Sequence, residues 1–180
     1  METGDIISLI SLIVTIIGGG AASIFALIQW RKSNKIRQAE FIDQIITKIR
    51  SDKIIAKTIY MIEYGEEWYN NEFHGKSDKE IEIDSLFSFF TYICYLHDTK
   101  NIQDDEFRIF EYEIKRVCLN KQAQAYLWNL YHWSKQHLKK SFSFQNLLKY
   151  LLNEVLNAEG KKRFESSDSK VSGYTKRLNF

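Results

Sequence analysis

The chain has 180 residues, with 25 basic and 23 acidic side chains and a formal net charge of +2 at pH 7. That length allows one domain of about 150 residues besides an apolar N-terminal segment. Proline is absent, which permits long uninterrupted helices. Two cysteines, Cys94 and Cys118, lie in apolar helical patterns, which excludes a disulfide framework and indicates buried, reduced thiols.

Residues 6–30 are the least polar part of the chain, with 25 consecutive positions and no ionisable side chain. A helix of that length measures about 37 Å, enough to cross a hydrocarbon core of about 30 Å. We therefore predict one transmembrane helix over 6–30, with residues 1–5 outside the cytoplasm. The alternatives are a cleavable signal peptide and a buried core helix. The acidic start, Glu2 and Asp5, and the length of the apolar run disfavour both.

The segment that follows is basic. Residues 31–50 carry six bases against two acids, so the positive-inside rule places residues 31–180 in the cytoplasm. The protein is expected in the inner (plasma) membrane, with the lipid bilayer as its first partner. An aromatic side chain at the boundary is typical of the membrane interface. The predicted interface residues are Trp30, Arg31, Lys32, Lys35 and Arg37.

One face of the predicted span carries small and hydroxyl-bearing side chains at spacings of three and four. Small residues let helix backbones approach closely, which predicts a homo-oligomer. The predicted contact residues are Ser8, Ser11, Thr15, Gly18, Gly19, Ala22 and Ala26. The alternative is that such residues are simply common in membrane helices. A pore lined by this face would need several copies, and the absence of charge disfavours an ion-coupled transporter.

Apolar spacing of three and four predicts an all-α fold for the remainder. We expect a basic juxtamembrane helix over 31–50 and a cytoplasmic domain of about five helices over 51–158. The expected helices start at Ser51-Asp52, at Asp78 after a Ser77-x-x-Glu80 capping box, at Asp104 or Asp105, after Asn120, and at Phe144. Residues 66–75 are expected to form a loop. From 159 onward Ser, Lys and Gly dominate, which predicts a flexible basic tail over 159–180.

Motifs for catalysis or metal binding are missing from the sequence. The four histidines, His74, His97, His132 and His137, lack the spacing of a metal site. No glycine-rich phosphate loop occurs outside the apolar run, and no arginine precedes a histidine as in helical antiviral ribonucleases. The sequence therefore predicts a protein that is not an enzyme, without catalytic residues, metal or cofactor.

The predicted fourth domain helix is rich in rings: Tyr126, Trp128, Tyr131 and Trp133. They cover several faces, which is typical of a helix packed between the core and its neighbours. The alternative is an exposed partner surface or nucleotide-stacking surface with nearby bases. The predicted ligand-binding residues are Arg116, Lys121, Lys135, Lys161, Lys162 and Arg163. The tail adds Lys176 and Arg177, and its charge is equally typical of a solubilising segment.

Aromatic side chains carry one resemblance to a known group. The run 89–96, the pattern Phe107-x-x-Phe110-x-Tyr112-x-x-x-Arg116 and the pair Tyr126-Leu127 resemble small uncharacterised bacterial membrane proteins. These have one or two N-terminal spans and an all-helical cytoplasmic domain. Some proteins of similar layout are membrane effectors of antiphage systems, including CRISPR-associated ones whose soluble domain binds cyclic oligoadenylate. The resemblance implies a cyclic nucleotide or oligonucleotide ligand.

The sequence thus predicts a membrane effector whose cytoplasmic domain senses a signal and whose membrane helices disturb the bilayer. The alternative is a membrane-anchored interaction or regulatory module that holds a protein partner and forms no pore.

Overall fold

The computed structural model describes residues 3–65, 67–75, 78–139 and 142–180, with side chains for all of these except 3, 5–14, 16, 17 and 21. Regular structure in these ranges is helical and no strand occurs in them, which confirms the all-α prediction. The chain divides into two units, Met1–Lys48 and Ile49–Phe180.

The first unit consists of most of one long helix, α1, Thr3–Ser51. The predicted continuation of the N-terminal helix through residues 31–50 is confirmed. Among the side chains that the structure describes, no helix offers a stretch long and apolar enough to cross a bilayer, so the predicted span over 6–30 is not supported. The described side chains do not include those of Ser8, Ser11 and most other residues in the first half of that span.

The second unit contains seven further helices within the described ranges. They are α2 (Lys53–Glu63), α3 (Asp78–Asp98), α4 (Asp104–Leu119), α5 (Lys121–His137), α6 (Gln145–Tyr150), α7 (Ala158–Glu165) and α8 (Ser169–Ser172). A π-helical turn, Leu151–Val155, continues α6. All five predicted helices of the domain are present, and α7 and α8 were not expected.

Helix starts follow the capping residues in most cases. The Asp52 carboxylate accepts bonds from the amides of Ile54 and Ile55, at 2.9 and 3.2 Å, as predicted. Asn120 caps α5 as predicted. The predicted cap of α4 at Asp104 or Asp105 is wrong. Gln103 is the N-cap, and its backbone N–H donates to the Glu106 carboxylate at 2.7 Å, as in a capping box.

The predicted capping box at the start of α3 is not tested, because Ser77 lies outside the described residues. The Glu80 carboxylate accepts a bond from the Gly75 amide at 2.6 Å and lies 2.9 Å from His74 Nδ1. Glu80 therefore ties the end of the preceding loop to α3.

Helix α3 is the centre of the second unit and packs against α2, α4 and α6. Its buried stripe consists of Ile83, Leu86, Phe87, Phe90 and Ile93, each fully excluded from solvent. A helix apolar on several sides is expected at this position. Cys94 and Cys118 are free and buried, as predicted. Burial raises the pKa of the Cys94 thiol to about 12.

The aromatic helix α5 faces inward. Tyr126 and Trp128 are both fully buried, while Tyr131 and Trp133 are partly buried. The described contacts thus favour the interpretation of a helix within the core. The alternative of an exposed stacking surface does not hold for Tyr126 and Trp128.

The prediction of a flexible tail over 159–180 is wrong. Phe164 is fully buried, and its carbonyl accepts a bond from His132 Nε2–H at 3.0 Å. The Trp128 indole donates to the Ser166 carbonyl at 2.9 Å. The tail docks with few apolar side chains, because side chains of α5 form hydrogen bonds with the main-chain polar groups of the tail.

Replacing Phe164 tests this docking. We expect Phe164→Ala to lower the free energy of unfolding by about 3–5 kcal/mol, because it empties a fully enclosed site. The exposed neighbour Glu165 provides the control, since Glu165→Ala should change stability by less than about 0.5 kcal/mol. Urea titration of both variants makes the measurement, and equal stabilities would show that the tail is not docked.

The histidine that holds the tail predicts a pH dependence. Burial lowers the pKa of His132 from its ordinary value, the bond to the Phe164 carbonyl opposes this, and Lys135 adds to the lowering. Below about pH 6.5 the unfolded chain then binds more protons at this site than the folded chain, so stability decreases as pH falls. Between pH 7.5 and pH 5, the melting temperature should fall less for His132→Gln than for the parent. Parallel curves would contradict the assignment.

Candidate ligand site

The six predicted ligand-binding bases occupy different environments. Arg116 forms ion pairs with Glu63 at 2.8 Å and with Glu113 at 3.1 Å, so its charge is already matched. The Lys135 ammonium lies 5.8 Å from the centre of the Tyr131 ring. Lys161 donates to Asn153 at 3.4 Å, and Lys162 is exposed on α7. These four do not meet at one site.

The other two bases share a cavity. Lys121 at the start of α5 and Arg163 on α7 line a cavity of about 450 Å³, together with Arg177 near the C-terminus. We call it the basic cavity, after these three cations. Its wall also includes Gln122, Gln124 and Tyr174. The volume falls within the range of about 300–1,000 Å³ typical of small-molecule sites.

The start of α5 fixes one wall of the basic cavity. The Asn120 side chain accepts bonds from the amides of Gln122 and Ala123 at 2.9 and 3.1 Å, which starts the helix immediately before Lys121. Asn120 also donates to the Ile62 carbonyl at 3.1 Å, which joins the start of α5 to the end of α2. The position of Lys121 is therefore set by two elements.

The C-terminal segment, residues 166–180, forms a second wall. Gly173 ends α8 with a φ of +74°, a left-handed conformation that glycine adopts without strain. The Asn129 side chain then holds the chain beyond it. Its Nδ2 donates to the Thr175 carbonyl at 2.9 Å, and its Oδ1 accepts from the Arg177 amide at 2.7 Å. Arg177 is thereby placed beside α5.

Tyr69 lies beneath Arg177 in the loop between α2 and α3. The guanidinium carbon of Arg177 is 5.0 Å from the centre of the Tyr69 ring, a cation–π distance. Gln122 Oε1 accepts bonds from the amides of Trp68 and Tyr69 at 2.9 and 2.8 Å. One side chain of α5 therefore holds the loop that carries this ring.

A short polar chain supports the Tyr69 hydroxyl. It lies 3.0 Å from His74 Nε2, and His74 Nδ1 lies 2.9 Å from a Glu80 carboxylate oxygen. Burial raises the pKa of Tyr69 well above its ordinary value, with Arg177 opposing the shift and Glu80 adding to it. The hydroxyl therefore remains protonated at neutral pH and shares a hydrogen bond with His74 Nε2. This arrangement orients the ring beneath Arg177.

The basic cavity differs in charge from another cavity of the second unit. Its lining in the described part of the chain holds three cations and no carboxylate. A cavity of about 410 Å³ beside α3, α4 and α6 contains both signs, with Asp98 paired to Lys149 at 3.0 Å and His97 to Asp104 at 2.9 Å. Fixed cations without acids attract anions, and low-dielectric walls strengthen the attraction.

Metal binding has no support in the described ranges, where no group of three or more His, Cys, Asp or Glu side chains could hold an ion. The basic cavity places hydrogen-bonding side chains around three cations. Such an arrangement can bind and orient an anion.

One important residue of this site, Tyr69, was not predicted as a ligand residue from the sequence, because it belongs to a polar stretch expected to be an ordinary loop. Arg177 was indicated only as part of a basic segment expected to be flexible, with a solubilising role as the alternative. The signal for the loop is its aromatic content: Trp68, Tyr69 and Phe73 are each at most 3% exposed. No spacing within residues 166–180 indicates that Asn129 would hold them.

No protein-family model, curated protein or solved structure matches this chain.

The loop anchor gives a prediction about local stability. Gln122→Ala removes the acceptor for two partly buried amides, which should cost about 1–3 kcal/mol. Hydrogen exchange at Trp68 and Tyr69 should become faster, while Gln136→Ala, an exposed change on the same helix, should leave it unaltered. Unchanged exchange in Gln122→Ala would mean that other contacts hold the loop.

Proposed function

We propose that this protein is a non-enzymatic, single-pass membrane effector with a helical sensing domain in the cytoplasm. Helix α1 anchors it in the inner membrane and associates with copies of itself. A ligand of the second unit triggers membrane disruption. The observation that carries the proposal is the basic cavity, which three cations line in a chain that also has an apolar run of membrane length.

The anchor rests on the sequence of α1. Its 25 positions from Ile6 to Trp30 lack any ionisable group, and six bases follow within residues 31–50. Exposing such a segment to water is unfavourable, whereas a lipid bilayer accepts it as a helix whose backbone hydrogen bonds are all formed within the segment. The basic segment beside it favours an orientation with the C-terminal unit in the cytoplasm.

Self-association is supported by glycines that the single chain does not require. A Cβ added at Gly18, Gly19 or Gly20 would meet no described atom within 4 Å, and their φ angles are not positive. Glycine inside a helix costs about 1 kcal/mol relative to alanine. Gly18 and Gly19 lie on the small-residue face with Thr15, Ala22 and Ala26, where close approach of a second helix gives glycine a role.

The signal is an anionic ligand of the second unit. The basic cavity attracts such a ligand, and the resemblance to antiphage membrane effectors implies a nucleotide second messenger. Sensing such a ligand requires a cavity that binds it and requires no catalytic group.

An alternative function, a membrane-anchored module that holds a protein partner, is favoured by exposed aromatic side chains. Tyr64 and Tyr112 are 77% and 66% exposed, and Tyr60 stacks with Tyr64 at 6.0 Å between ring centres. Aromatic side chains are enriched in protein interfaces. This alternative predicts a co-purifying protein and no effect on membrane potential.

Matched glycine variants test the proposed function. Without detergent, the full-length protein should sediment with membranes, and chemical cross-linking should yield oligomers. Gly18→Leu should reduce cross-linked oligomers several-fold because it obstructs the small-residue face. Gly20→Leu makes the same change on the opposite face and should leave them unaltered. In cells supplied with the ligand, the parent and Gly20→Leu should depolarise the membrane.

Three results would overturn the proposal. They are protein that remains in the supernatant, a monomer at every concentration in detergent, and an unchanged membrane potential after the ligand is supplied.

A further inference from the structure

We propose that the basic cavity binds a soluble organic phosphate of nucleotide size, carrying at least two negative charges and held by Lys121, Arg163 and Arg177. The inference names the ligand class of the sensing domain and rests on the proposed function for its biological role. The binding site itself is argued from geometry and charge alone.

The first argument is the charge of the lining. Three cations converge on one cavity, and no carboxylate lines it in the ranges that the structure describes. Arg163 is partly matched by Glu159, one helical turn before it. Neither Lys121 nor Arg177 forms an ion pair with a described residue. A ligand with two negative charges would match these two cations.

The second argument is the state of Arg177. Its Nη1 donates to the Asn71 side chain, its guanidinium lies over Tyr69, and its backbone amide is bound to Asn129. Its Nε is buried and has no hydrogen-bond partner among the described atoms. A buried donor without a partner is costly, so the protein neighbours satisfy this guanidinium only in part.

The third argument is how the cation is held. Asn129 binds the backbone of Arg177 and Tyr69 supports its side chain, so the guanidinium is positioned before any ligand arrives. A planar guanidinium binds two phosphate oxygens at once, which gives direction as well as charge. Preorganisation of this kind reduces the entropy lost on binding.

The size of the cavity selects an organic phosphate over the bare ion. About 450 Å³ is far larger than one phosphate group needs. The remaining wall includes the ring of Tyr174, whose hydroxyl donates to Gln124 Oε1 at 2.9 Å. A partly buried aromatic ring suits the flat face of a nucleobase.

The test is a binding titration of the full-length protein in non-ionic detergent at fixed ionic strength. The probes are inorganic phosphate, inorganic pyrophosphate and ADP. Binding of each is measured by isothermal titration calorimetry and by the change in melting temperature. We expect ADP to bind more tightly than pyrophosphate, and pyrophosphate more tightly than phosphate. Bound ADP should raise the melting temperature and slow hydrogen exchange from Thr175 to Leu178.

Charge-matched variants locate the site. Lys121→Gln, an exposed change that disturbs no packing, should weaken ADP binding about 10-fold or more. Arg177→Gln should weaken it further, and Arg177→Lys should fall between the parent and Arg177→Gln, because it keeps the charge and loses the planar fork. Lys170→Gln removes the same charge from an exposed position of the same segment and should bind ADP like the parent.

Several results would overturn the inference. One is the absence of binding by every soluble probe, and another is an equal loss in Lys170→Gln and Lys121→Gln, which indicates non-specific attraction. A third is binding only to vesicles containing phosphatidic acid, which assigns the phosphate to a lipid headgroup. Binding of ADP without membrane depolarisation supports this inference and contradicts the proposed membrane effector function.

Discussion

The buried amide of Asn129 joins α5 to the C-terminal segment, residues 166–180. It is fully excluded from solvent and makes four bonds to the main chain, to Ala125 and Thr175 through Nδ2 and to Arg177 and Leu178 through Oδ1. A buried amide must have partners, and here the C-terminal segment supplies three of the four. The position of Arg177, and with it the basic cavity, depends on this one side chain.

A second junction holds the opposite wall. The loop between α2 and α3 is anchored by Gln122 and filled by rings, with Tyr126 in edge contact with Trp68, Tyr69 and Phe73 at 5.3–5.9 Å between centres. The Tyr126 hydroxyl donates to Asp84 at 2.5 Å, so α3 is included. Helix α5 therefore carries both junctions, and the cavity lies where they meet.

Two features lie in separate parts of the chain. The N-terminal helix holds the apolar run and the basic segment, and the second unit holds the cavity lined by three cations. Docking the C-terminal segment costs conformational entropy, and a ligand that contacts both this segment and α5 offsets part of it. A ligand bound there would thus stabilise the segment that forms its own wall.

Local signals in the sequence determined the helices of the second unit and most of their starts. The caps at Asp52 and Asn120 and the apolar stripe of α3 depend on neighbours three or four positions away, which is the range that a sequence pattern reports. The length of α1 follows likewise from the absence of proline. Tertiary structure alone decided that Phe164 fills the core and that Asn129 binds residues 175–178, because such contacts join positions more than 30 residues apart. Of the cavity, the sequence indicated Lys121, Arg163 and, as part of the basic tail, Arg177. The contribution of Tyr69 and the convergence of these residues came from folding, which brings together segments that carry no common local pattern.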